Sequence, residues 1–331
     1  MLLLPFAIVL AVQLWSCGLV YTNTEQSPSN QLEWEYFSLI GRIVNGTKAV
    51  SRQFPYQVSL RRSYNSRHFC GGSLIDEYYV LTAAHCMYMN GGRIQPWTIT
   101  VVAGELQLNK QTATGQSRGV DEIIVHSEFD ETTLQNDISL LVLKEPFKLT
   151  QEVMPVQLAT NEVEPGTVCQ VSGWGYPAFD TPIVSNDLMY VDLPIISKNQ
   201  CKELLVNVTD LPPGMFCAGY TEGLRDACQG DSGGGMICDG FLCGVVSGGE
   251  ECALPGLPGV YSDVLFYESW ILENMNVATK RMTSKDVETT NDPSELPVTP
   301  KIVETKNDPS SAQHLLASVL LLFVSYILIS I

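Results

Sequence analysis

From Ile43 to about Val277, apolar runs of about four to eight residues alternate with turn-rich segments. Examples are Gln57-Val58-Ser59-Leu60, Ser73-Leu74-Ile75, Thr98-Ile99-Thr100-Val101-Val102 and Ile138-Ser139-Leu140-Leu141-Val142-Leu143. Many short strands at such spacing predict an all-β barrel or sandwich. Only the end departs from this texture. Between Phe266 and Asn276, Tyr267, Ile271 and Met275 recur at helical spacing beside Trp270, and Glu268 stands where an acid suits a helix N-terminus. A single closing helix is expected there.

The flanks read differently. Residues 1–18 are an apolar run with small residues at its end, the pattern of a secretory signal peptide cut near Gly18; a retained anchor is the rival reading. Residues 19–42 are polar and end in Arg42 before Ile43-Val44-Asn45-Gly46, a processing site or an ordinary linker. The folded domain spans 43–278. Residues 279–314 are a polar stalk with a degenerate repeat, in which Lys285-Asp286-Val287-Glu288-Thr289 returns as Lys301-Ile302-Val303-Glu304-Thr305. Residues 315–331 carry no charge and read as a lipid-anchor signal or, alternatively, a short retained span. These features place the protein in the secretory pathway, on the outer side of the cell membrane, or released if the anchor is lost. The formal net charge of -17 argues against nucleic acid as a partner.

If Cys17 leaves with the signal, nine cysteines remain, enough for four bridges with one thiol over. Spacing alone leaves their connectivity open. The chemistry is sought around Ser232, set among glycines in Gln229-Gly230-Asp231-Ser232-Gly233-Gly234-Gly235, where backbone N–H groups can converge beside a hydroxyl. A serine nucleophile needs a base, and His85 in Leu81-Thr82-Ala83-Ala84-His85-Cys86 is the candidate. The base needs an orienting acid, and Asp137 opens one of the most apolar strands.

Leu-Thr-Ala-Ala-His-Cys at 81–86, Asn-Asp-Ile-Ser-Leu-Leu at 136–141, Val-Ser-Gly-Trp-Gly at 171–175 and Gly-Asp-Ser-Gly-Gly at 230–234 stand in register. In that order and approximate spacing they resemble the chymotrypsin-like serine peptidases from Ile43 to about Asn276. The resemblance implies two six-stranded antiparallel β-barrels with a C-terminal helix, His85 as general base then acid, Asp137 as its orienter and Ser232 as nucleophile. It implies an oxyanion hole from the N–H groups of Gly230 and Ser232. Arg42-Ile43 would be the activation bond of a zymogen, whose freed amine pairs with Asp231, by self-activation or through another protease. Asp226 resembles the acid at the base of the trypsin-like specificity pocket, with Ser247, Gly249 and Gly259 lining it, so the implied partners are protein or peptide substrates cut after Arg or Lys. Disulfides Cys70–Cys86, Cys169–Cys238, Cys201–Cys217 and Cys228–Cys252 follow from the same likeness. Cys243 is left without an assigned partner, or faces Cys238 across the Asp239-Gly240 turn.

Several positions depart from the family pattern. Gly248 replaces an aromatic wall, Glu250 and Glu251 follow it, and Gly235 replaces a proline, which is expected to loosen the serine loop. Cationic residues are expected to be preferred around the cut. No metal or other cofactor is expected, since the loop holding Glu105 lacks a second acid near Gly115 and Gln116. Asn45 and Asn207 begin glycosylation sequons. Arg61, Arg62 and Arg67 read as a solvated loop or an exosite. The rival to a working peptidase is a catalytically weak or silent binding protein on the same fold.

Overall fold

A computed structural model describes residues 43–177, 182–206, 208, 210–249 and 252–289, the last six without side chains. In it the short apolar runs become strands that pair into rings, so that no long edge is left bare. Six strands form the N-terminal ring: β1 (Gln57–Arg62), β2 (His68–Asp76), β3 (Tyr79–Thr82), β4 (Ile99–Ala103), β5 (Gln116–Val125) and β6 (Ser139–Leu143). They close in the order β1-β2-β3-β6-β5-β4, all antiparallel. Val58, Leu60, Leu74, Leu81, Val101, Val120 and Leu140 are fully buried there.

The second ring repeats that order. Its strands are β7 (Val168–Gly173), β8 (Met189–Ile196), β9 (Met215–Ala218), β10 (Gly235–Cys238), β11 (Phe241–Gly248) and β12 (Gly259–Asp263). They run β7-β8-β9-β12-β11-β10 and close through β10 onto β7. Val171, Leu193, Met236 and Tyr261 fill its core together with Ile43, which is fully buried. The two-barrel architecture implied by the sequence is thus present.

Helix α1 (Lys198–Leu205) is capped by Ser197, whose hydroxyl accepts from the Gln200 N–H, and it holds Cys201 against Cys217. Helix α2 (Glu268–Thr289) is longer than its apolar spacing predicts. No glycine or proline interrupts 277–289, so the polar stretch that reads as stalk begins as helix. The chain divides into two compact units between Thr279 and Lys280. In the first, α2 is seated by the Tyr79 hydroxyl, which donates to the Met275 carbonyl at 3.0 Å, and by fully buried Ile271. In the second, the described residues from Lys280 to Thr289 continue the helix.

All four disulfides implied by the sequence are formed, and Cys238 also meets Cys243. The leader, Arg42, Asn207, Glu250, Glu251 and the terminal apolar run lie outside the described residues. Among the described residues no helix is long and apolar enough to cross a membrane.

Candidate active site

Strand register brings the first two candidates together. Thr82 faces Ser139 in the β3–β6 pairing, so the residues just after β3 and just before β6 share one end of the N-terminal barrel. His85 sits in the turn after β3, where fully buried Ala83 and Ala84 let the backbone pack closely. Its Nδ1 lies 2.7 Å from Asp137 Oδ2, and its backbone N–H donates to Oδ1 at 2.8 Å. The Ser247 hydroxyl, from the other barrel, also donates to Asp137 Oδ2 at 2.6 Å. A wholly buried carboxylate is tolerated here because both oxygens have donors. Burial pulls the His85 pKa down, but the charge of Asp137 and its hydrogen bond outweigh that and leave it raised. With Nδ1 held by a carboxylate, Nε2 is the nitrogen that can exchange a proton with a substrate.

Ser232 is placed by backbone bonds from both barrels. Its carbonyl accepts from the Gly71 N–H on β2 at 2.8 Å, and the next residue, Gly233, donates to Val246 of β11 at 2.8 Å. Among the described residues the Ser232 hydroxyl makes no hydrogen bond to His85, and neither the Gly230 nor the Ser232 N–H has a protein acceptor. Gly230 (φ 98°) and Gly233 (φ 78°) adopt backbone conformations that favour glycine, and a Cβ on Gly233 would collide with Thr82 Oγ1.

Asp231 is fully buried behind that loop. Its carboxylate accepts from Gly175 N–H at 2.7 Å and Cys228 N–H at 3.0 Å. A Cβ on Gly173 or Gly175 would strike its oxygens, which explains both glycines of Val-Ser-Gly-Trp-Gly. Burial pushes the Asp231 pKa up to about 7 against the pull of those N–H groups. Asp226 has a similar environment at the floor of a cavity of about 180 Å³ lined also by Ser232, Ser247, Gly249 and Gly259. One carboxylate oxygen accepts from Ala253 N–H at 3.2 Å, while Oδ1 is buried without a partner. Burial raises its pKa to about 7. A Cβ on Gly259 would stand 2.8 Å from that orphan oxygen, so only glycine keeps the floor open.

The trypsin family profile matches residues 43–271. The chain belongs to the trypsin family. It is similar to trypsin-2 of Salmo salar, at 38% identity over 71% of this chain and 95% of that protein. It is also 39% identical to trypsin I-P1 of Gallus gallus, over 71% and 90% of the two chains, and to trypsin-1 of Astacus astacus, over 70% and 99%. The protein is accordingly a trypsin-like serine endopeptidase.

The positions singled out as departures or candidate surfaces take on physical meaning in four places. Where Gly248 lacks a side chain, Leu134 Cδ1 lies 2.9 Å from the position a Cβ would occupy, so Leu134 fills the space beside the missing wall. The expectation that Gly235 loosens the serine loop is corrected: Gly235 opens buried β10, and a Cβ there would collide with Ser73 Oγ and stand 2.6 Å from Leu242. Close approach of two strands, not slack, selects glycine. Arg61 and Arg62 are structural, Arg61 Nη1 donating to the Leu108 carbonyl at 3.0 Å and Arg62 lying 3.8 Å over the Phe69 ring. Glu105 is satisfied locally, accepting from the Thr112 N–H at 2.6 Å and its hydroxyl at 2.9 Å.

His68 is a residue whose role the motif reading missed. Its Nε2 lies 2.9 Å from the Gly230 carbonyl and its Nδ1 2.9 Å from Ser59 Oγ. Because a carbonyl only accepts, Nε2 carries the proton and Nδ1 accepts from Ser59. Burial lowers its pKa to about 4 despite the Gly230 bond, so it stays neutral and pins the peptide beside Ser232. Its place in His68-Phe69-Cys70, beside a bridged cysteine, was the available signal.

Proposed function

We propose that the protein is made as a secreted zymogen, cut between Arg42 and Ile43, and then cleaves peptide bonds after Arg or Lys. The single observation that carries this is the orphan Oδ1 of Asp226, a buried acid among the residues that line the cavity. A guanidinium or ammonium supplies the missing partner, whereas an apolar side chain leaves a buried charge unpaired.

In this reading Ser232 Oγ attacks the substrate carbonyl while His85 Nε2 takes its proton. The unengaged N–H groups of Gly230 and Ser232 receive the developing oxyanion. His85 then protonates the leaving amine, and water resolves the acyl-enzyme by the same exchange in reverse. Asp137, held by Ser247, keeps the imidazole oriented. The hydrogen bond between Ser232 and His85 forms as substrate closes the site.

Zymogen control is supported by Ile43, which is buried at φ 70° in the uncut chain, a costly conformation for a β-branched residue. Cutting before Ile43 removes that constraint and creates an ammonium in the core beside buried acids. Asp231, supported so far by backbone N–H groups alone, is its counter-charge. Arg42 fits the pocket's own preference, so self-activation and a second trypsin-like enzyme are both compatible. The terminal apolar run is proposed as a lipid-anchor signal, tested by phospholipase release from cells, which a retained span would resist. Asn45 and Asn207 are proposed glycosylation sites. Cleaving the purified chain at Arg42–Ile43 and profiling a peptide library beside Ser232→Ala tests the whole reading. Turnover restricted to Arg and Lys, with cationic flanks favoured as Glu250 and Glu251 imply, is expected; no turnover would leave a silent binding protein.

A further inference from the structure

Three buried cysteines meet where two would suffice. Cys169 ends up opposite Cys238 because Gln170 faces Ile237 in the β7–β10 pairing, and their Cα atoms are 4.5 Å apart. On the other side, the β10–β11 register steps between Met236 and Ile237, which leaves Cys243 as the unpaired residue of a bulge. That bulge sets Cys243 Cα 6.1 Å from Cys238 Cα, after the tight turn at Asp239 (φ 51°) and Gly240 (φ 87°). Both separations fall in the range a disulfide spans, and all three sulfurs are shielded from solvent. Each outer cysteine also has a carbonyl for its own thiol: Cys243 Sγ lies 3.4 Å from the Met236 oxygen, and Cys169 Sγ 3.9 Å from the Thr167 oxygen.

We propose that Cys169, Cys238 and Cys243 form an internal thiol–disulfide exchange site with Cys238 as the shared centre. The thiolate of Cys243 attacks Cys238 Sγ, the Cys238–Cys243 bond forms, and the Cys169–Cys238 bond breaks. Cys169 leaves as the thiolate and takes up the proton that Cys243 gave up. No external oxidant or reductant enters, since one disulfide and one thiol are present before and after. The two forms differ in what they tie. Cys169–Cys238 joins strands 69 residues apart, whereas Cys238–Cys243 closes only a five-residue hairpin. The released pair of strands bears on the active site: β7 runs into the Gly173 and Gly175 cradle of Asp231, and β10 follows directly from Ser232. Exchange therefore changes how firmly the loop around Ser232 is held.

The site is read by trapping thiols in acid in the denatured full chain, alkylating them, and cutting on the amino side of Asp239 to separate Cys238 from Cys243. The expected result is label on both Cys243 and Cys169, with the matching bridged peptides Cys169–Cys238 and Cys238–Cys243. Label confined to Cys243 overturns the proposal. Cys243→Ser is expected to hold Cys169–Cys238 alone, and after activation it should turn over an Arg amide at least as fast as the wild-type chain does. Cys169→Ser, held in the hairpin form, is expected to show kcat about tenfold lower. Equal kcat in the two locked variants overturns the coupling to the active site. If Cys169→Ser does not fold, the labelling ratio of the wild-type chain still decides the exchange.

Discussion

The N-terminal barrel holds His85 and Asp137 with one disulfide nearby, whereas the C-terminal barrel holds Ser232, Asp226 and Asp231 and is tied by three of the assigned pairs. Both rings have the same strand order, yet their acids are satisfied differently. Asp137 has donors on both oxygens without any substrate present. Asp226 keeps an oxygen without a partner, and Asp231 relies on backbone N–H groups. The acid of the first barrel's site is satisfied as folded, whereas two buried acids of the second rely on backbone N–H groups, one of them with an oxygen left over; in the proposed function the Ile43 ammonium and a cationic substrate side chain supply the missing partners. In the proposed function that division makes the second barrel the place where activation and specificity act, while the first supplies the base.

The sharpest way to break this division is to remove one group from each barrel. After activation, Ser232→Ala and His85→Ala should each lower kcat on an Arg ester by on the order of 10⁵ or more, and the double variant should be hardly worse than either. Additive losses would mean that the barrels act separately. Next in size, Asp226→Asn should lower kcat/KM for Arg substrates by roughly a thousandfold while leaving Ser232 reactive toward a small acylating agent. An equal loss of that reactivity would place Asp226 in maintaining the loop, not in receiving substrate.

A matched pair of bridges sharpens the comparison further. Cys70–Cys86 and Cys201–Cys217 each span 16 residues, so loop-closure entropy assigns both about 3 kcal/mol. Replacing either pair by serine should lower denaturant stability similarly, but only loss of Cys70–Cys86, adjacent to His85, should also depress kcat in the folded fraction. The acids supply a pH test of smaller size. Asp226 and Asp231 are both raised from 3.8 to about 7, so between those values the folded uncut chain holds protons that the unfolded chain has released. Stability of the uncut chain should therefore fall as pH rises from about 4 to about 7. Cutting at Arg42–Ile43 should flatten that fall, because an ammonium favours the charged form of Asp231; parallel melting profiles before and after cleavage would contradict the pairing. The activity of the cut enzyme should be gained as pH rises through a value above 6.5, because His85 must be neutral to act and its pKa is raised. The smallest effect expected is that of Gly235→Ala, at about 1–3 kcal/mol of lost stability from overpacking against Ser73 and Leu242.

Much of this was legible in the residues themselves. His85 and Ser232 each stand in a motif whose small neighbours are local requirements, Asp137 opens an apolar strand, and the short apolar runs dictate strands that must close into rings. What stayed hidden depends on residues distant in sequence. Gly235 read as slack because its constraint comes from Ser73 across the barrel junction. Leu134 carries no motif, and its position over Gly248 follows from a loop meeting a strand more than a hundred residues later. His68 acquires its role only when Gly230 arrives at its Nε2.

By itself, then, the sequence carried the strand-forming texture and, through its resemblance to the family, named the candidates for the reacting groups and for the specificity acid, because these rest on residue type and motif order. The tertiary structure alone decided which buried acids have donors on both oxygens and which do not, why Gly235 cannot bear a side chain, and that Cys169 reaches the Cys238–Cys243 hairpin. Those outcomes depend on donors, volumes and sulfurs brought together by ring closure, and no local pattern encodes the distance between two strands that meet only after both barrels have formed.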